Sequence, residues 1–252
     1  GTAPFRTALS SFLTNHKFSY NGGPVTPSNV SASFGNSLAL ATVAKLFARP
    51  GDIAVVEEPT YFLAGKMFAD AGLRCVRVGV DKEGLKVDDL EAWLQSTPKK
   101  PSLVYSIPRH HNPTSINMSA SREARLLALA SEHGFKIVFD DPYSLLAYPK
   151  STPVAQTTVS EHIISLGSFS KILSPGLRLG WMLSGPETIK KIKSDGALDS
   201  GGGPPGLITE AVRRLLEGGV LDEHITMLRG ELEARHLALA GAFIREFGEG
   251  VA

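Results

Sequence analysis

Apolar and polar residues alternate along this chain in two periods that keep exchanging places. The exchange predicts an α/β architecture. Helical spacing opens the sequence, with Phe5, Leu9, Phe12 and Leu13 on one face of a helix predicted over residues 2–13. A turn at Asn21-Gly22-Gly23-Pro24 leads to an apolar run over residues 30–34, which reads as a strand stopped by Gly35. Residues 37–48 then spread Leu38, Ala41, Val43, Ala44, Leu46 and Phe47 over a broad apolar helix face that ends at Pro50-Gly51-Asp52. From there strand and helix take turns. Strands are predicted at residues 53–56, 74–78, 103–107, 136–139, 162–166 and 177–183. Helices are predicted at 61–71, 87–95, 120–133 and 186–194, with Gly72 and Gly134 closing two of them. A glycine-proline loop at 201–206 precedes two last helices, 207–217 and 221–247. The last is rich in Arg and Glu and solvated along one face. The chain holds no internal repeat.

Strands that alternate with helices form a largely parallel sheet covered on both faces. Ligands of such sheets sit beyond the carboxyl ends of the strands. Gly35, Glu57-Glu58-Pro59, Pro108, Asp140 and Gly167 all fall at those ends.

Composition narrows the classes. The 252 residues can bury one sizeable core. Lys and Arg total 26 against 25 Asp and Glu, a net charge of +1, so no basic stripe points to nucleic acid or to a membrane surface. Apolar residues make up 42% of the chain, as in globular proteins. No apolar run approaches the roughly 20 residues that span a bilayer. No charged-then-apolar leader opens the sequence, and a cytoplasmic location is expected. Cys75 is the only cysteine. In Leu73-Arg74-Cys75-Val76 it reads as a core-strand thiol kept in a reducing compartment.

The candidate chemistry centres on the strand Ile163-Ile164-Ser165-Leu166 and the small-residue loop beyond it. Lys171 is the only Lys or Arg between Lys150 and Arg178. Hemmed by Phe169, Ile172 and Leu173, it is expected to lose hydration, which lowers an amine pKa and makes it a nucleophile toward a carbonyl. Ser168, Ser170 and Arg178 are groups that hold a phosphate. An aldehyde and a phosphate on one ligand describe pyridoxal phosphate. Spacing alone fits a surface loop lysine equally well.

Other strand ends add chemistry, each with a plainer alternative. Phe34-Gly35-Asn36-Ser37 joins a strand to a helix start, where backbone N–H groups favour an anion; a serine helix cap fits as well. Tyr61 can stack on a flat heteroaromatic ring or simply pack a helix start, while Phe62 reads as core and Glu57 and Glu58 as structural. Of Asp140 and Asp141, only one can face a site, because adjacent strand residues point to opposite sides. A buried aspartate beside a pyridine nitrogen keeps that nitrogen protonated. Asp141 then reads as a helix cap. Without the lysine, the acidic pair fits Mg²⁺ about as readily. His110 and His111 are candidate substrate contacts, and with no carboxylate or cysteine nearby to complete a set, no metal is expected.

The string Ser168-Phe169-Ser170-Lys171, followed by Pro175-Gly176-Leu177-Arg178-Leu179-Gly180-Trp181, resembles the lysine region of class I/II aminotransferases. These are pyridoxal-phosphate enzymes of the aspartate-aminotransferase fold. Asn112-Pro113-Thr114 matches the family's Asn-Pro-Thr-Gly signature with Ser115 in place of the glycine, and Asp140 stands at the family spacing from Tyr143. The resemblance covers essentially the whole chain. It implies the large domain of that fold, a mostly parallel sheet of the seven-stranded type sandwiched by helices. It implies a Schiff base at Lys171, which then serves as general base and acid, with Asp140 and Tyr143 as the other catalytic residues. Gly35, Asn36, Ser37, Ser168, Ser170 and Arg178 would bind the cofactor phosphate, Asn36-Ser37 departing from the commoner Ser-Gln. Tyr61 would cover the pyridine ring, and Asn112 and Tyr143 would meet its phenolic oxygen.

The implied reaction moves an amino group from an L-amino acid to a 2-oxo acid, in a homodimer without nucleic-acid or membrane partners. A pyridoxal-phosphate-binding effector domain of a transcription regulator, a carbon–sulfur lyase and a decarboxylase would use the same cofactor residues. Residues 1–220 are expected to form the cofactor-binding domain. Residues 221–252 are expected to be a long helix leading towards a small C-terminal domain beyond the chain. Family members are longer at both ends, and their small domain carries the arginine that grips the substrate carboxylate. No arginine here takes that role.

Overall fold

The computed structural model describes residues 1–148 and 157–248. Helix α1 (Ala3–Asn15) starts where the Thr2 hydroxyl accepts from the Phe5 amide at 3.4 Å, with a proline in its first turn. Short β1 (Ser19–Tyr20) and β2 (Val30–Ser33) come next, then α2 (Gly35–Phe47), β3 (Ile53–Glu58) and α3 (Phe62–Asp70). After them run β4 (Arg74–Asp81), β5 (Gly84–Leu85), α4 (Val87–Ser96), β6 (Leu103–Ser106) and α5 (Ala120–His133). The Ser119 side chain caps α5, and Gly134 at φ +77° ends it in the left-handed conformation that glycine adopts without a Cβ clash. The chain continues through β7 (Lys136–Asp140), β8 (Thr158–Val159), β9 (Ile163–Ser168) and β10 (Gly180–Leu183). It ends in α6 (Pro186–Lys193), α7 (Gly196–Asp199), α8 (Gly206–Glu217) and α9 (Val220–Phe247).

The main sheet runs β2-β10-β9-β7-β6-β3-β4-β5. Its centre is parallel; β10 is antiparallel to both β2 and β9, and two-residue β5 is antiparallel to β4. Seven longer strands and this short edge make the expected α/β sheet, and helices cover both faces. Side chains alternate between the two cores. Leu103, Tyr105, Val138, Ile164 and Leu166 pack under α2, α3 and α6. Val104, Ile137, Phe139 and Ile163 pack on the opposite side with α1, α4, α5 and α8. By the same alternation Asp140, two residues beyond Val138, emerges on the Tyr105 side.

Several expectations are corrected. The strand predicted over 177–183 begins at Gly180; Pro175–Leu177 forms a 3-10 turn, and Arg178 has φ +49°. Phe62 is 81% exposed rather than core, because α3 begins at this residue and its apolar face is carried by Ala64 and Phe68. Cys75 lies on a strand but is exposed: it borders a surface depression with Gly65 and Ala69 of α3, and its thiol lies 3.8 Å from the Gly65 carbonyl. Helix α9 buries only Leu221 and Ile225 among its described residues, so it is solvated on more than one face. Predicted positions 249–252 lie outside the described residues.

Candidate active site

A cavity of about 240 Å³ opens at the carboxyl ends of the strands, on the side covered by α2 and α3. It is lined by Asn36, Ser37, Tyr61, Asn112, Asp140, Tyr143, Ser168, Ser170, Lys171 and Arg178, with Leu40, Met67, Ile107, Pro142 and Pro175 between them. Every side chain singled out for the cofactor borders this one space. Gly35 stands at its edge. A Cβ on Gly35 would lie 3.0 Å from the guanidinium of Arg178, and Gly35 itself has φ +79°. The first residues of α2 therefore approach the arginine closely, a pairing of backbone N–H groups and guanidinium that suits an anion.

The cavity floor is buried and internally bonded. Asp140 ends β7, is 8% exposed, and accepts from Tyr105 Oη at 2.8 Å and from Asn36 Nδ2 at 2.6 Å. Burial pushes its carboxyl above the ordinary aspartate value, while hydrogen bonds from Tyr105 and Asn36 act against that rise. The Tyr105 hydroxyl is itself pushed well up by burial and by the neighbouring Asp140 charge. Burial also raises Tyr143, with Asp140 adding to the effect. Asp141 faces away from the cavity, as strand alternation requires. It accepts from the Ser144 amide at 3.1 Å and from Thr157 Oγ1 at 3.3 Å, fixing the turn that carries Tyr143.

The rim is open. Lys171 is exposed and makes no hydrogen bond or ion pair among the described residues. The expected desolvation by its neighbours is corrected: Phe169 and Ile172 turn into the core beneath the loop. Phe169 packs edge-on to Trp181 at 5.0 Å. Ser168 Oγ accepts from the Ser170 amide at 3.0 Å and shapes the loop. Arg178 donates to the Pro175 carbonyl at 3.2 Å. Tyr61 immediately precedes the first residue of α3 and makes no side-chain capping bond there; its ring lies 5.4 Å from that of Phe62.

The loop bearing Asn112 rests on buried charges. Glu57, 1% exposed, accepts from Ser106 Oγ at 2.6 Å and from the Ile107 amide at 2.8 Å, and lies 3.1 Å from His111 Nε2. His111 Nδ1 pairs with Thr114 Oγ1 at 2.8 Å. Arg109 is buried against Glu123 at 2.5 Å. Ser115 takes φ +60°, the left-handed conformation a glycine would enter freely. His110 and His111 border an adjoining cavity that shares Asn112 and Tyr143, not the main one. No cluster of metal-ligating side chains occurs among the described residues.

Sequence reasoning missed Tyr105 and gave Asn36 only a main-chain role. Only Tyr105 follows from register, once β6 and β7 are paired; the Asn36 contact joins a helix start to a strand 104 residues away. Tyr105 pairs with Val138 across β6 and β7, so the hydroxyl of a buried tyrosine on that face reaches the next same-face residue, Asp140.

The model for "Aminotransferase class I and II" matches residues 1–235. Aromatic-amino-acid aminotransferase 1 of Thermococcus litoralis is 34% identical over 262 residues, covering 100% of this chain and 60% of its own length. The crystal structure of Pyrococcus horikoshii kynurenine aminotransferase, solved with PMP, superposes with a TM-score of 0.87 at 33% identity, over 99% of this chain and 62% of that one. The uncharacterized HTH-type transcriptional regulator YisV of Bacillus subtilis is 30% identical over 254 residues, covering 99% of this chain and 50% of its own length. The chain thus spans between half and about 60% of the length of these curated relatives. The chain belongs to the class I and II aminotransferase family.

Proposed function

We propose that the protein of which this chain is the cofactor-binding part is a pyridoxal-phosphate-dependent aminotransferase. One observation carries the reading. A lone amine at Lys171, an anion cradle at Gly35 and Arg178, and a buried carboxylate at Asp140 border a single cavity. Those three groups fit the aldehyde, the phosphate and the ring nitrogen of one molecule. The PMP-bound Pyrococcus horikoshii relative supports the same cofactor.

Arg178, Ser168, Ser170 and the α2 start with Asn36 and Ser37 bind the phosphate. Tyr61 covers one face of the ring and excludes water from it. Asn112 and Tyr143 meet the phenolic oxygen, and Asp140 holds the ring nitrogen in its protonated form. Lys171 Nζ would hold the aldehyde and, once freed by substrate, would carry a proton from the substrate α-carbon to the cofactor's aldehyde carbon. When bound, the cofactor supplies an electron sink for that carbon. An amino acid and a 2-oxo acid are the substrates. Residues 1–220 form the cofactor-binding domain and residues from 221 the helix leading out of it. The working protein is a cytoplasmic homodimer. Among the described residues, no helix is long and apolar enough to cross a membrane.

A second reading is favoured by the likeness to YisV: the same cofactor site as the sensing domain of a regulator. Reconstitution of the full-length protein with pyridoxal phosphate separates the two. An aminotransferase converts its visible absorption to that of the aminated cofactor on adding an amino acid such as glutamate, and a 2-oxo acid reverses the change. A cofactor band that no amino acid converts leaves the sensing reading standing and removes the transferase.

A further inference from the structure

We infer that Asn36 and Tyr105 are positioning residues for Asp140, clamping its two carboxylate oxygens so that it stays charged against the ring nitrogen of the proposed cofactor. The inference rests on the pyridoxal-phosphate reading and goes further, giving a role to Tyr105, outside the expected contacts, and a side-chain role to Asn36, expected to meet the phosphate only through its main chain.

Each oxygen of Asp140 has its own donor. Tyr105 Oη reaches Oδ2 at 2.8 Å from the adjoining strand β6, and Asn36 Nδ2 reaches Oδ1 at 2.6 Å from the first turn of α2. The same Nδ2 donates to the Leu166 carbonyl at 3.1 Å, so one amide ties β7, β9 and α2 together. Turning that amide over would set its oxygen against two acceptors, so the network fixes Nδ2 toward Asp140. The other amide atom, Asn36 Oδ1, is buried without a hydrogen-bond partner among the described residues. Serine, the commoner family residue at this place, has a single hydroxyl proton and cannot serve Asp140 and Leu166 together.

Burial alone favours the protonated acid, and Asp141 and Glu57 nearby add like charge in the same direction. The two donors oppose both effects. Other ionisable groups near Asp140 do not replace them. Tyr61 and Tyr143 are phenols at the cavity wall, and Lys171 and Arg178 stand at the exposed rim. The Tyr105 hydroxyl is held well above its ordinary value, so it stays a donor wherever the carboxylate is charged. Losing either donor raises the pH at which Asp140 takes up a proton, and a neutral carboxyl gives the ring nitrogen no counter-charge.

The test measures pyridoxal-phosphate affinity of the full-length protein from mildly acid to mildly alkaline pH, by titrating the visible cofactor band. Wild type is compared with Tyr105→Phe, Asn36→Ser and the double variant. Tyr105→Phe keeps the ring in its packing place, and Asn36→Ser sits at a helix start, so both leave the core intact. Each single change moves the pH below which binding weakens upward by about one unit, an affinity loss of roughly tenfold on the acid side. The double variant moves it further. Affinity returns to near the wild-type value at alkaline pH, which a merely structural injury would not allow. Weakening by the same factor at every pH, or an unshifted profile in the variants, overturns the inference alone. Absence of any cofactor band in wild type overturns the cofactor reading and this inference with it.

Discussion

The floor and the rim of the cavity are built on opposite principles. On the floor, Asp140, Tyr105 and Asn36 satisfy one another inside the protein. At the rim, Lys171 and Arg178 are exposed, and Arg178 bonds only a nearby carbonyl. A buried carboxylate cannot be left to water, so the fold must hold it in place and bear that cost within the sheet. Exposed cations need no such scaffold and keep their hydrogen-bonding capacity for a ligand. The floor is thus the pre-organised part of the site, and the rim is the part whose energetics a ligand decides.

Changes at the rim should therefore alter ligand chemistry while sparing the fold, and changes on the floor should do both. The largest effect is expected at the rim. Lys171→Ala should lower amino transfer by at least about 10²–10⁴-fold, the range of a lost general base, while leaving the thermal unfolding midpoint of the cofactor-free protein in place. A shifted midpoint would place Lys171 in the scaffold. Arg178→Ala comes next. Loss of a charged phosphate contact should weaken pyridoxal-phosphate binding roughly ten- to hundredfold, read by spectrophotometric titration. Unchanged affinity would remove Arg178 from the phosphate site.

Floor changes act through folding. Burial raises Asp140 above the usual value near 3.8, so the fold favours its neutral form. This contribution is fully present below the unfolded-state value and is lost as pH rises through the higher folded value. At neutral pH the charged carboxylate therefore costs the cofactor-free protein stability. Asp140→Asn should raise its urea midpoint at neutral pH and lower its cofactor affinity at once. A lower midpoint would mean that the two donors outweigh the burial. The smallest effect is expected at Ser115→Gly. Relief of a left-handed serine, partly offset by a freer unfolded chain, should stabilise the protein by at most about 1 kcal/mol, seen as a small rise in urea midpoint.

Legibility in the sequence divides along the same line. The parallel centre of the sheet comes from the exchange of strand and helix periods, and each side chain picked for the cofactor lines one cavity. These are local patterns, with small-residue loops and charges placed just beyond apolar runs. Strand order is not local, and nothing near Val30 or Gly180 in sequence says that β2 and β10 pair at one edge. The parallel pair of β1 with β8 joins Ser19 to Thr158 and is equally out of reach. Phe62 and Cys75 depart from expectation for a shared reason. Apolar character predicts burial only where a neighbouring layer closes over the side chain, and Phe62 opens a helix while Cys75 borders a surface depression beside α3. Lys171 shows the converse, since its apolar neighbours in sequence are not its neighbours in space.

The most direct measurement is covalent. The full-length protein is loaded with pyridoxal phosphate, reduced with borohydride, digested, and the peptides are mapped by mass spectrometry. A phosphopyridoxyl adduct on Lys171, abolished by excess competing amino acid before reduction, is the predicted result. An adduct spread over surface lysines, with Lys171 unmodified, contradicts the account.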